Sequence, residues 1–313
     1  MFWQRLHSFL FPKATDRWLT VLRVGLGLQV ILYFLSFRGD WIKIFAGNGN
    51  GLISRDLTEV ILTSDSSFIP RIGWLVRLGA LLGVGESAIL SAVLIISLVA
   101  GGFLLVGLGS RTAAVTAWFL HLSAVKSGDL MAYGMDNFTT IGLFYLMISP
   151  LPDRLSLDRF IRSSLPSVTP KLSGFFQRVL QLHLCAIYLF GGITKCLGAG
   201  WWDGTSIWRS LTCPPYNILS AQFLLPYRHI LPVIGISVCL LETGYPVFIW
   251  LKKTRAAWLV AILAMHVGIG LAMGLYLFSS IMIILNLAAF GTILLRLEPP
   301  NAPTSSSLPV PRS

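Results

Sequence analysis

One lysine, Lys195, closes a long apolar segment and is followed by a glycine-rich turn, two tryptophans and an acid. The stretch at 188–208 reads YLFGGITKCLGAGWWDGTSIW. A lysine at the end of a membrane helix either extends its ammonium to water or is held in a dry pocket, where its amine can act as a base. The first arrangement predicts an ordinary membrane helix, and the second predicts an enzyme.

The helix that ends at Lys195 carries a stripe of polar and small residues on one face. At steps of four and seven residues, the stripe contains Gln177, Gln181, Tyr188 and Gly191. Such a stripe favours contact with other helices over contact with lipid. The more conservative interpretation is a packing face whose lysine reaches water.

Two polar residues begin another apolar segment at the same predicted outer level as Lys195. They are Asp136 and Asn137. Asp136 is interpreted either as a helix cap or as the partner of Lys195, and both roles can coexist because a carboxylate at a helix N-terminus gains from the dipole.

The loop after Lys195 contains the pair Trp201–Trp202, followed by Asp203. Paired tryptophans at this depth are typical of an interfacial belt, and they also suit the lid of a pocket for a flat ring or a lipid-like ligand. Cys196 and Cys213 fall in the same region, and whether they form a disulfide is left open. The cysteine spacing does not resemble a metal site.

Charged and titratable groups inside apolar segments are costly, so each one needs a partner or a function. Glu242 lies in the middle of an apolar segment, and we expect it to pair with Arg23 or His266. A buried pair that fixes helix packing is favoured over a proton path. His266 is interpreted either as a core histidine or as part of a site with Lys195.

Composition identifies the elements that must position these groups. The chain has 313 residues, of which 55% are hydrophobic and 12% charged, and its mean hydropathy is +0.74. Because about 20 apolar residues span a bilayer, we predict an all-α, polytopic integral membrane bundle. Eight spans are expected, at about 19–37, 88–108, 112–128, 134–150, 174–195, 229–251, 256–275 and 277–295.

The positive-inside rule places both termini in the cytoplasm, with the KKTR turn at 252–255 as the firmest anchor. Residues 1–17 are interpreted as an amphipathic lead-in and 18–296 as the bundle. The outside loop 38–87 contains an interfacial helix at 71–83, and the tail 297–313 is expected to be disordered. The net charge of +11 is spread over loops, so no nucleic-acid surface is predicted. The lipid bilayer is the expected partner.

The chain resembles the horizontally transferred transmembrane domain (HTTM) family, which includes the membrane part of vitamin K-dependent γ-carboxylase. The most specific element joins Gly192, Lys195, Trp202 and Gly204. The other matching blocks are LRVGLGLQVIL, MDNFTTIGLFYLMISPLPDRLSLD, LLETGYPVFIW and MHVGIGLAMGLYLF, in the same order as in the family.

The resemblance implies a carboxylase-like enzyme in which Lys195 is the base that deprotonates a reduced quinone. In the carboxylase, oxygenation of the quinol yields a strong base that removes a glutamate γ-proton, and CO2 then adds. Asp136 and His266 would shape this catalytic site. The residues assigned to the bound ring are Trp202, Tyr188, Asn137 and Asp203. The site would face the extracytoplasmic side of a bacterial inner membrane.

Two positions differ from the carboxylase pattern. Thr194 stands where the carboxylase has a second lysine, and no histidine accompanies Asp136 and Asn137. The alternative function is therefore a non-catalytic membrane factor that matures or exports a secreted peptide or protein. A small-solute transporter ranks last, because Pro246 has no counterpart elsewhere in the chain.

Overall fold

The computed structural model describes residues 1–47, 52, 54–66, 68–162, 169–216 and 218–291. Within these residues the regular secondary structure is entirely helical, as the composition predicts. The predicted disordered tail, 297–313, lies outside the described residues.

In the described part of the chain, nine α-helices precede the segment that ends at Lys195. They are α1 (Phe2–Leu10), α2 (Arg17–Phe37), α3 (Trp41–Phe45), α4 (Arg55–Asp65), α5 (Ile72–Leu81), α6 (Glu86–Val106), α7 (Ser110–Ser127), α8 (Gly134–Ile148) and α9 (Leu157–Ile161). The predicted interfacial helix corresponds to α5, and its place at a membrane surface stays a prediction. The neighbouring helices α3 and α4 were not predicted, because their apolar runs are short.

The remaining described helices begin with the one that carries the site. They are α10 (Pro170–Cys196), α11 (Ala199–Trp202), α12 (Thr205–Thr212), α13 (Ala221–Leu224), α14 (Leu231–Phe248), α15 (Arg255–Met273) and α16 (Tyr276–Phe290). A 3₁₀ segment, Leu225–Ile230, joins α13 to α14.

Among the described residues, five helical segments are long and apolar enough to cross a membrane. They are Arg17–Phe37, Glu86–Val106, Pro170–Cys196, Ala221–Phe248 and Arg255–Met273. The other three predicted spans are also helical, as α7, α8 and α16. The total of eight spans and the cytoplasmic termini stay predictions.

The long helices form two groups that share α16. In the first group, α2 packs against α6 and α8, and α7 packs against the same two helices. In the second group, α14 packs against α10 and α15. Helix α16 contacts α2 and α8 on one side and α10 and α15 on the other. Lys195 and Asp136 therefore belong to different groups.

Arg23 is buried in the first group, where it binds the loop after α8. Its Nε donates to Asp153 Oδ2 at 2.6 Å, and the two side chains are 1% and 0% exposed. A terminal nitrogen donates to the carbonyl oxygens of Leu104 and Leu105, at 2.5 and 3.0 Å. The guanidinium thus neutralises a carboxylate and satisfies two carbonyls at the end of α6. The expected pairing of Arg23 with Glu242 is wrong, because these residues lie in different groups.

Asp158 in α9 fastens the turn between α6 and α7. Its Oδ1 accepts from the Gly109 N–H at 2.6 Å, and its Oδ2 accepts from the Ser110 N–H and hydroxyl, both at 2.8 Å. Burial by itself would raise the pKa of Asp158, but the hydrogen bonds from Ser110 and Gly109 hold this pKa below its usual 3.8. The carboxylate therefore acts as the N-terminal cap of α7 from a separate loop.

We predict that Asp158→Ala lowers the free energy of unfolding by about 1 kcal/mol at neutral pH, since a helix cap is lost. A group whose folded-state pKa is lowered contributes stability above its unfolded pKa and loses it as the pH falls through the folded value. The difference between native and variant should therefore shrink below about pH 4. Thermal unfolding in detergent across pH 3–7 measures this, and a constant difference would contradict it.

Candidate functional site

Lys195 turns its side chain back along α10 instead of extending it to water. Its Nζ donates to Glu242 Oε2 on α14 at 2.6 Å, and the Gly191 carbonyl lies 3.5 Å from the same nitrogen. Side chains of a helix lean towards its N-terminus, so a lysine at the C-terminal end points into the bundle. The side chains of Lys195 and Glu242 are 27% and 9% exposed. The expected partners of Glu242, Arg23 and His266, are thus replaced by Lys195.

The pair forms where α10 and α14 approach most closely. A Cβ added at Gly192 would lie 2.5 Å from the Thr243 backbone nitrogen, so only glycine fits there. A Cβ added at the neighbouring Gly191 would lie 3.3 Å from Glu242 Oε2 and 3.6 Å from Lys195 Nζ. Glycines thus bring the α14 backbone within reach of the lysine.

We predict that Gly192→Ala lowers the free energy of unfolding by about 2–3 kcal/mol, because the new methyl group must displace the α14 backbone. It should also lengthen the Lys195–Glu242 contact. Gly268→Ala on α15 is the matched control, since a Cβ there meets nothing within 4 Å. Unfolding of both variants in detergent tests the prediction, and equal stabilities would refute it.

The tryptophan that covers Lys195 is Trp201, not the predicted Trp202. Lys195 Nζ lies 5.5 Å from the centroid of the Trp201 ring, within cation–π range. Trp202 is 48% exposed, and its Nε1 donates to the Cys196 carbonyl at 2.7 Å. Asp203 is exposed and accepts hydrogen bonds from Thr205. Neither predicted ring-binding residue of this loop therefore faces the lysine.

A buried polar network continues from Lys195 along the same face of α10. Tyr188 Oη lies 2.8 Å from His266 Nε2 on α15 and accepts from Asn286 Nδ2 on α16 at 2.7 Å. The Tyr245 hydroxyl of α14 donates to Asn286 Oδ1 at 2.8 Å. Four helices are thus joined by side chains, and Tyr188 and His266, two predicted site residues, contact each other directly.

Two buried polar atoms in this region have no hydrogen-bond partner among the described residues. They are Nδ1 of His266 and Oγ of Ser279. A buried ring nitrogen without a partner is costly and usually marks a water, a ligand or a proton-transfer role. His266 therefore has one nitrogen engaged by Tyr188 and one available.

Asp136 and Asn137 lie away from the lysine. Asp136 accepts from the Tyr133 N–H at 2.8 Å and from the Tyr33 hydroxyl, and Asn137 is exposed. The cavity beside Asp136 measures about 30 Å³, which has room for water but not for a ring. The structure thus supports the capping role of Asp136, and the alternative pairing with Lys195 is wrong.

Cys196 and Cys213 are both free thiols in this structure, so the disulfide left open by the sequence is not formed. Cys196 Sγ instead lies 3.5 Å from the Thr243 hydroxyl on α14. This contact adds to the attachment of α10 to α14 beside the ion pair.

The polar stripe predicted from the sequence does face other helices. Gln177 and Gln181 donate to the Ala289 carbonyl at the end of α16, at 3.1 and 2.7 Å. Sequence reasoning missed Asn286 and Tyr245 as members of the network. The available signal for Asn286 was a single amide inside the apolar run IMIILNLAAF.

The arrangement supports acid–base chemistry. Lys195 Nζ donates to Glu242 Oε2 across 2.6 Å, and the lysine side chain is the more exposed of the two. A salt-bridged ammonium has no lone pair, so Lys195 can accept a proton only after it gives up one of its own, and Glu242 is in position to receive that proton. The chain matches no family model, no curated protein and no solved structure.

Proposed function

We propose that the protein is a membrane-embedded, carboxylase-like enzyme in which the Lys195–Glu242 pair carries out the acid–base catalysis. The observation that carries this proposal is the short contact between an amine and a carboxylate in a partly exposed site at the end of α10. Close contacts between an amine and a carboxylate in partly exposed sites occur in acid–base enzymes as well as in structural ion pairs. The HTTM-like sequence motifs support the same assignment.

In the proposed reaction, Lys195 is the base, and Glu242 is the group that accepts the proton of the Lys195 ammonium. Transfer of the ammonium proton to Glu242 leaves a neutral amine directed at the exposed side of the pair. That amine then removes a proton from an acidic hydroxyl held against Trp201. His266 is more deeply buried and is hydrogen-bonded to Tyr188, which lies on the same face of α10 as Lys195; it can take up a further proton at Nδ1.

A reduced quinone is the co-substrate that the family resemblance implies, and it would supply the strong base for carboxylation when bound. A flat ring fits on only one side of the Lys195–Glu242 pair. The indole of Trp201 offers a stacking surface beside the amine. A ring cannot enter between α10 and α14, where even a methyl group at Gly192 has no room. The ring would therefore approach from the exposed side of Lys195.

The test uses purified protein in lipid nanodiscs with reduced quinone, O2, labelled bicarbonate and a glutamate-rich peptide. We expect quinol consumption and labelled peptide from the native protein. Lys195→Arg should lose roughly 100-fold in rate, because an arginine keeps the charge but cannot act as a base. Lys43→Arg is the control, since Lys43 is 72% exposed. Equal amounts of labelled peptide from Lys195→Arg and from the native protein would refute the proposed enzymatic activity.

The second candidate is a non-catalytic membrane factor that matures a secreted partner. It is favoured by the way Lys195, Tyr188 and Asn286 fasten four helices together, which is a packing role. Lys195→Arg separates the two functions, because it preserves an ion pair with Glu242 and removes the base. Full maturation of the partner by this variant in cells would support the factor.

A further inference from the structure

A cavity of about 700 Å³ opens at the opposite end of α10 from Lys195. Its wall is formed by α1, the N-terminal part of α10, the α14–α15 turn and the end of α16. This volume is in the usual range for small-molecule sites. We refer to it below as the basic cavity.

Four cationic residues line the basic cavity, and no acid among the described residues lines it. They are Lys13, Arg178, Lys252 and Arg255. Within the described part of the chain, none of the four forms an ion pair with a carboxylate, although seven other Lys or Arg residues do. A group of uncompensated cations around one cavity favours an anionic ligand.

The wall of the basic cavity is built from fixed side chains. The Arg178 guanidinium packs against the rings of both Phe9 and Trp250, 4.5 and 4.6 Å from their centroids, and its Nε donates to the Phe9 carbonyl at 2.9 Å. An arginine held by two rings and a carbonyl is pre-organised, so little entropy is lost when it binds an anion.

Arg255 supplies an independent indication of a ligand. One terminal nitrogen donates to the Trp250 carbonyl at 3.0 Å, but its buried Nε has no hydrogen-bond partner among the described residues. An unsatisfied guanidinium N–H beside a cavity is the donor that a phosphate or carboxylate oxygen would accept from. Beside these donors lie apolar surfaces of Ile249, Trp250 and Phe290.

We propose that the basic cavity binds a phosphate group, carried either by the headgroup of an anionic lipid or by a free phosphate compound. Lys252 and Lys13, both exposed, attract the anion at the rim, and the partly buried Arg255 guanidinium binds one of its oxygens. The apolar surfaces accept the glycerol and acyl part when the source is a lipid.

Native mass spectrometry on the full chain in neutral detergent tests the proposal. The protein is titrated separately with phosphatidylglycerol, with inorganic phosphate and with phosphatidylcholine. We expect Lys252→Gln to weaken phosphatidylglycerol binding about five-fold and Arg255→Gln about ten-fold. Lys253→Gln is the matched control, because Lys253 is an exposed neighbour that does not line the cavity, and it should change binding by less than about two-fold.

The three ligands identify the source of the phosphate. Variant-sensitive binding of phosphatidylglycerol alone assigns a lipid headgroup, and variant-sensitive binding of inorganic phosphate assigns a free compound. Lys252 is exposed, so Lys252→Gln leaves the fold intact even where Arg255→Gln loosens the α14–α15 turn. Equal affinity for phosphatidylglycerol and phosphatidylcholine, or equal losses in Lys252→Gln and Lys253→Gln, would overturn the proposal.

Discussion

Arg23→Ala is expected to lower the free energy of unfolding by about 3–5 kcal/mol, which is a large fraction of the roughly 5–15 kcal/mol typical of a domain. The substitution leaves Asp153, 0% exposed, as an unpaired buried charge. It also removes the donors for the carbonyls of Leu104 and Leu105. We therefore expect low yield and early unfolding of the purified variant, measured by thermal unfolding in detergent.

A second variant separates loss of the charge pair from loss of volume. Arg23→Met combined with Asp153→Asn removes both charges and should recover part of the stability, since the cost of one lone buried charge disappears. Lys43→Ala serves as the control, because its pair with Asp40 is exposed and contributes little. An Arg23→Ala protein as stable as the Lys43→Ala protein would mean that the buried pair is not structural.

Breaking the Lys195–Glu242 pair should cost about 2 kcal/mol in either single variant, less than for the fully buried Arg23 pair because Lys195 is partly exposed. The conservative changes are Lys195→Met and Glu242→Gln, which keep most of the volume. In the double variant no charge is left unpaired. Its loss of stability should therefore be smaller than the sum of the two single losses, by about 1–2 kcal/mol.

The exposed pair Lys43–Asp40 provides the reference cycle, with Lys43→Met and Asp40→Asn. Its side chains are 72% and 66% exposed, so its coupling should be close to zero. Unfolding in mixed detergents gives the stabilities of the native protein and the six variants under one condition. Strict additivity at Lys195 and Glu242 would show that these residues do not act as a unit. It would also contradict the proposal that Glu242 accepts the proton of Lys195.

Sequence patterns predicted the helices well because apolar length and spacing are local properties. The stripe from Gln177 to Lys195 is an example, since its spacing alone shows that one face of α10 contacts other helices. The partners on that face were not predictable. Glu242 is 47 positions away from Lys195, and which helices are neighbours depends on the packing of the whole bundle.

Two further differences between the sequence predictions and the structure have local causes. The indole over Lys195 belongs to Trp201 and not Trp202, since consecutive residues of a helical turn point about 100° apart. Asp136 was predicted at the same outer level as Lys195, but its carboxylate accepts hydrogen bonds from Tyr133 and Tyr33 instead of pairing with the lysine. A depth estimate from sequence does not tell on which side of the bundle a residue lies.

The most direct test of the account asks whether Lys195 transfers a proton to Glu242 when a reduced quinone binds. Infrared difference spectroscopy of the protein in nanodiscs, with and without a reduced quinone, reports the C=O band of a protonated carboxylic acid. We predict that the band appears on addition of the quinol and is absent in Glu242→Gln, because Lys195 must release its proton to Glu242 before it can act as a base. A native protein whose carboxyl bands do not change, or a band that persists in Glu242→Gln, would contradict the assignment of this pair as the working acid–base group.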